Sequence, residues 1–217
     1  MNKKTQNTIT PVSLFLRGGA ATIDIFIVGM LRILFMQIVG SLWVNGQLIK
    51  FYEDFNNKFG VPFSAINEEH VLFLSNHAIV KVMLLFLFLI ILVGAIYHAY
   101  LNSSSWSATI GKRICGLLLV KNEGKALSFW QAFWHYTLSL VPWIFMIYIL
   151  LYQAKEQTTL YNALTGNLFN LTLGLATVVW IQIHIITKKK NTIHDLIVGC
   201  TMVKGKIGQG FPKIRSK

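Results

Sequence analysis

Apolar residues gather into four long unbroken stretches along this chain rather than alternating with polar ones. The first runs from about Leu14 to Phe35 and continues in weaker form to Val44. The second runs from Ala78 to about Leu101 and contains VMLLFLFLIILVGAIY. The third covers Phe129 to Tyr152, and the fourth Asn167 to Ile186. Each reaches the roughly 20 residues an α-helix needs to cross about 30 Å of hydrocarbon. Ten-residue segments of alternating polarity, the mark of a membrane β-barrel, are missing. The pattern predicts an all-α membrane protein with about four transmembrane helices.

The connections are of two kinds. Residues 45–77, with Asn56-Asn57, Gly60, Pro62 and four acids, read as a short exposed excursion with one helical turn near Phe51–Phe55. Residues 153–166 read as a shorter link. The segments 102–128 and 187–204 carry more. In the first, an apolar run over Ile114–Val120 meets a turn at Asn122-Glu123-Gly124. In the second, IVGCTMVKG is a β-branched run bounded by glycines. Two such runs can pair as a short β-ladder on one membrane face, although interfacial helix fits them too. The organisation expected is an N-terminal segment 1–13, a membrane domain 14–204 and a basic tail 205–217.

Composition narrows the class. Hydrophobic types make up 54% of the 217 residues and charged types 13%, the latter about half the share usual in soluble domains. That much apolar surface excludes disorder, a disulfide scaffold and an ordinary cytosolic enzyme. Cys115 and Cys200 are too few for a disulfide framework and stand in no CxxC motif. Both flank basic segments of cytosolic character, where thiols stay reduced. A cleavable signal peptide is not expected, because the first stretch is too long, holds Arg17 and Asp24, and lacks a small-x-small site. No inverted repeat of the transporter kind is evident.

A net charge of +12 would by itself suggest nucleic acid. Its distribution changes that picture. Residues 1–13, 102–128 and 187–217 carry the whole excess, while the remaining six bases and six acids cancel. In a four-helix topology those three segments lie on one side, so the positive-inside rule puts both termini and the central loop in the cytoplasm. The expected partner is the bilayer with its anionic headgroups, with Lys188-Lys189-Lys190 as a topology anchor. Nucleic acid is not expected, and a homo-oligomer is compatible with the sequence.

Ionisable residues inside spanning helices cost about 2.5–3.5 kcal/mol at the bilayer centre, so they come first as candidates. Arg17 lies near the cytoplasmic entry of the first helix. Asp24 is seven residues on, about 10.5 Å deeper and on the same face. Ala20 and Ala21 lie between them, with Gly18 and Gly19 nearby. Small residues permit close helix approach. The two charges are too far apart to pair with each other. Each therefore needs a partner on another helix, a bound cation or, for Asp24, a proton. The face has two readings: a charge set that fixes packing, or a binding and transport site. Arg32 and Lys81 sit at outer helix ends and can snorkel. His98 and His184 fall near cytoplasmic ends. His135, in the third helix, comes closest in depth to Asp24 and is its expected relay or partner.

No GxSxG, Walker A, GxGxxG or paired catalytic carboxylates occur. No metal-ligand spacing such as HExxH occurs either. The expectation is that this is no enzyme, with no metal site and no cofactor.

Taken together the motifs resemble a family. Arg17, Asp24 and Asp195, the last inside Thr192-Ile193-His194-Asp195-Leu196-Ile197-Val198-Gly199, look like the arginine and two aspartates that name the RDD family. Thr109-Ile110-Gly111-Lys112-Arg113-Ile114-Cys115-Gly116 is similar to that family's TxGKRxxG loop, and lies between spanning helices on the basic side. The resemblance covers most of the chain and is weakest over 45–77 and 153–166. It implies a bacterial inner-membrane protein, for which transport has been proposed and some members are described as sodium/proton antiporters. Arg17, Asp24, His135, His194 and Asp195 become the expected binding residues for a monovalent cation or proton. Ala20, Ala21, Gly111, Lys112, Arg113, Gly116 and Gly199 become structural motif positions. Four spans, where many members are drawn with two or three, and Cys200 after the motif glycine are departures. The rival reading is a non-transporting assembly or stabilising factor whose Arg/Asp set is structural. Lys112, Arg113 and Arg17 are expected to meet Asp195 at the cytoplasmic face.

Overall fold

A computed structural model describes residues 12–60, 68–156, 159–187 and 191–205, with backbone alone at 154, 155, 161, 163 and 181–186. The expectations for residues 1–11, for Lys188–Lys190 and for 206–217 lie outside the described residues, as does the side chain of His184.

Among the described residues, three continuous helical stretches are long and apolar enough to cross a bilayer: Leu14–Phe59, Ala78–Ser103 and Phe129–Gln153. In order the helices are α1 (Leu14–Val39), α2 (Asn45–Phe59), α3 (Glu68–Asn76), α4 (Ala78–Ser103), α5 (Ile110–Ile114), α6 (Phe129–Ser139), α7 (Val141–Glu156), α8 (Leu160–Thr165), α9 (Leu168–Ile186) and α10 (Ile193–Val198). A π-helical turn, Gly40–Val44, joins α1 to α2. The fourth apolar stretch, α9, is apolar over Leu168–Trp180 and runs 19 residues as backbone. Pro142 lacks the N–H that would bond back to Leu138, which is why the third stretch divides at Leu140 into α6 and α7. Large apolar side chains point outward throughout, Phe15 being 93% exposed and Leu42 82%. Water would not tolerate such a surface, whereas lipid tails do.

The expected ladder is present. Strands β1 (Leu117–Lys121) and β2 (Cys200–Lys204) pair antiparallel, with Leu117 opposite Lys204 and Lys121 opposite Cys200. A lone two-stranded ribbon is marginal in water. Here Leu117 packs with Val12, Ala20 and Met202, while Leu119 packs with Ala99, Leu127, Ala132 and Cys200.

Folding exposes a likeness the linear pattern hid. TIGKRICGLLLVK (109–121) and TIHDLIVGCTMVK (192–204) carry Thr, Ile, Ile, Gly, Val and Lys at matching positions. Each begins with a threonine N-cap whose hydroxyl accepts the backbone N–H three residues on. Each short helix ends at a glycine in left-handed conformation, Gly116 (φ 65°) or Gly199 (φ 72°), and then enters its strand. The ladder register relates the two copies symmetrically.

These elements belong to one compact unit, residues 1–24 with 97–217. A second unit comprises residues 25–96 and corrects one expectation. Residues 45–77 are not an exposed excursion. Their described part is helical as α2 and α3, and Phe51 and Phe55 are buried against Ile79, with Phe59 and Phe73 packed around them. The buried His70 ring meets Phe59 edge-on at 4.4 Å. The aromatic residues recur every three or four positions, so α2 buries one face while its polar residues point away. Gly60, at φ 65°, closes α2 through its N–H to Asn56 O. Arg32 Nε donates to Ile90 O at 3.1 Å instead of simply snorkelling. The link 153–166 is likewise partly helical, through the end of α7 and α8.

Candidate functional site

The first helix meets both copies of the repeated motif. Asp24, buried at 3% exposure, faces the first copy. Its Oδ1 accepts from Tyr97 Oη at 2.8 Å and from the Gly111 N–H at 2.9 Å, and its Oδ2 accepts from Thr109 Oγ1. All three donors are neutral. Gly111 is required by this approach: a Cβ there would clash with the Ala20 carbonyl oxygen and sit 2.9 Å from the Asp24 carboxyl carbon. Ala20, fully buried, lies on the same side of α1 as Asp24 and Val28.

Arg17 faces the second copy. Its Nη1 donates to Asp195 Oδ2 at 3.0 Å, an ion pair whose side chains are 10% and 1% exposed. Asp195 also closes a capping box with Thr192, its Oδ2 accepting the Thr192 N–H at 2.9 Å. On the other side Asp195 Oδ1 lies 2.8 Å from His135 Nε2 and within 3.9 Å of Cys200 Sγ. The His194 ring stands edge-on to His135, centroids 4.7 Å apart. The seven-residue spacing of Arg17 and Asp24 thus matches two related motifs presented to one helix. The arginine pairs with one aspartate on the second copy while the other aspartate, on the same helix as the arginine, is bonded to the first, and a model of the RDD family matches residues 11–199.

The chain belongs to the RDD family. No curated protein and no solved structure matches it at a significant level.

Several expectations for the RDD residues need correction. His135 partners Asp195, not Asp24, because α6 packs on α10. Ala21 is exposed, one residue around the helix from the buried Ala20. Lys112 is buried yet donates to Asn102 Oδ1 at 3.0 Å, so it does not pair directly with Asp195. Arg113 leaves the centre altogether and stacks 3.9 Å over the Trp106 ring. Tyr97 and Asn102 were not singled out by sequence reasoning, and Thr109 stood only as the first residue of the TxGKRxxG motif, without a partner. Tyr97 and Asn102 sit in the last turns of an apolar helix, and a polar group in that position is a usable signal. His98 stacks on Tyr136, centroids 4.4 Å apart.

The electrostatics follow from burial. Burial alone would raise the Asp195 pKa, but the His135 hydrogen bond and the cationic surroundings outweigh it and hold the carboxyl well below the ordinary range. Burial, with His135 beside it, pushes the His194 imidazole down to about 3. Burial also lowers Lys112, partly opposed by the charges of Asp24 and Asp195, and raises the Cys200 thiol. Arg17 Nε and Nη2, Asn102 Nδ2 and His194 Nδ1 are buried without a hydrogen-bond partner among the described residues. An unmet buried polar atom costs about 1–3 kcal/mol. Two of these atoms belong to Arg17 of the ion pair and a third to His194, whose ring stands against His135, so the centre has capacity for a further ligand.

Proposed function

We propose that the protein is a multi-pass cation or proton-coupled transporter of the bacterial inner membrane, with Asp195 and its neighbours as the binding centre. One observation carries the reading. Asp24, Lys112, His135 and Asp195 are buried, and the Arg17 side chain is nearly so, in a chain whose outer surface is apolar. Apolar packing would hold such a bundle as well or better, since replacing a buried ion pair by fitting apolar groups is often neutral or stabilising. Charges kept inside a membrane protein therefore argue for work on a charged ligand. The charge split supports both termini and the loop containing Lys112 facing the cytoplasm, where the basic segments meet anionic headgroups. No enzymatic step is assigned to these groups.

A second reading has its own support. Asp24 is fully engaged by three neutral donors that tie α1 to α4 and α5, as expected of a non-transporting factor whose Arg/Asp set is structural. Ion-flux measurements in proteoliposomes separate the two. Transport predicts cation-dependent proton movement that is lost in Asp195→Asn while the protein still assembles. Absence of flux for every monovalent and divalent cation tried, with folded protein in the vesicles, refutes the transporter and leaves the structural reading.

A further inference from the structure

We infer that His135, His194 and Asp195 form a binding site for a divalent transition-metal ion of the zinc type. As cargo, that ion would deepen the transport reading above and rests on it; the site itself does not.

The three side chains come from two elements, α6 and α10, and each offers one ligand atom within 4.8 Å of the others. His135 Nε2 and Asp195 Oδ1 are already 2.8 Å apart. Zinc bonds of about 2.0–2.2 Å would set the ligand atoms near 3.3 Å from one another, so the third needs only a small approach. Two imidazole nitrogens and one carboxylate oxygen are the donor set of zinc, cobalt, nickel or ferrous iron. Magnesium and calcium take oxygen ligands instead. Three protein ligands also leave a coordination position open, as in sites that exchange ligands.

Two further observations point to a ligand. His194 Nδ1 is buried with no hydrogen-bond partner among the described residues. Behind the carboxylate, Arg17 and the Thr192 N–H both hold Oδ2, which orients Oδ1 towards His135. The surrounding charges set the strength. Arg17 from α1 pairs with Asp195, the Cys200 thiol lies 3.9 Å from its Oδ1, and the buried Lys112 of α5, bonded to Asn102, feels the charges of both Asp195 and Asp24. The Arg17 guanidinium paired to the same carboxylate weakens a divalent ion's hold and favours reversible binding.

The test uses the full chain in detergent, purified with a tag free of histidine. Cobalt(II) titration followed by visible absorption, and zinc equilibrium dialysis, should each give saturable binding of one ion per chain. His194→Ala should lower the affinity at least about tenfold. Its circular dichroism and elution volume should stay as in the wild type, because the Nδ1 atom makes no bond to lose. His135→Gln, which can still bond Asp195, should do the same. No saturable binding by the wild type, or unchanged binding in both variants, overturns the inference. Binding of zinc with no flux of zinc or of any other cation tried in vesicles upholds the site and refutes the transport reading. Flux of another cation without zinc or cobalt binding does the reverse.

Discussion

Substituting Gly111 with alanine should unfold the junction between α1 and the first motif. The added methyl has no free volume, since it meets the Ala20 carbonyl oxygen and the Asp24 carboxyl carbon, the latter at 2.9 Å. Because one obstacle is main chain, no rotamer change relieves it. Forcing extra carbon into such a contact costs about 1–3 kcal/mol. Moving α5 away also loses the Gly111 N–H bond to a carboxylate, at about 1.5–3 kcal/mol. The sum is on the order of 3–5 kcal/mol, or a fall of roughly 10 °C in the unfolding midpoint for a chain of this length. Thermal unfolding in detergent, followed by circular dichroism, measures it. Gly18→Ala is the control: nothing lies within 4 Å of a Cβ there, so that variant should be neutral or gain up to about 1 kcal/mol. Adding Ala20→Gly to Gly111→Ala should rescue nothing, because the carbonyl stays. A Gly111→Ala protein as stable as the wild type, or one restored by Ala20→Gly, would refute the reasoning.

Arg17→Ala and Asp195→Ala should each destabilise by about 3–5 kcal/mol, the cost of stranding a buried charge, and the double variant should lose clearly less than their sum in the same unfolding assay. Fully additive losses would show that the two act independently. Stability should fall on acidification, measured with chelator present. An unfolded His194 takes a proton below its ordinary 6.5 whereas the folded one does so only near 3, so its share is complete above 6.5 and declines as pH drops towards 3. Asp195, depressed in the fold, adds stability that is complete above its ordinary 3.8 and is lost at lower pH still; a midpoint flat from pH 7 to 4 would contradict the burial of His194. For topology, a cysteine replacing Lys58 should react with an impermeant thiol reagent from outside intact cells and one replacing Lys125 should not, with the reverse pattern refuting the orientation.

What the sequence determined by itself is whatever depends on local pattern and on the solvent. Twenty-residue apolar runs suffice for spanning helices, because a bilayer leaves backbone groups no other partner. The bias of Lys and Arg supports an orientation, and the Arg17, Asp24 and Asp195 motifs carried family membership. The ladder was readable as one apolar and one β-branched run, although the strands start only after Gly116 and Gly199, two residues inside those runs. Tertiary structure decided which group each charge meets. Arg17 and Asp195 are 178 residues apart, Asp24 and Thr109 85, and His135 and Asp195 60. Depth along a helix, the only coordinate the sequence supplied, could not distinguish Asp24 from Asp195 as the partner of His135. The answer depended on α6 packing against α10. The same limit hid the buried face of α2, whose charges and asparagines resembled a loop until Phe51 and Phe55 had Phe73 and Ile79 to pack against. It also hid the kinship of the two motifs: one holds Lys112 and the other Asp195 at the same helix position. Opposite charges conceal an equivalence that backbone geometry, shared caps and a common strand register make plain, because capping and register act through main-chain atoms that every residue carries.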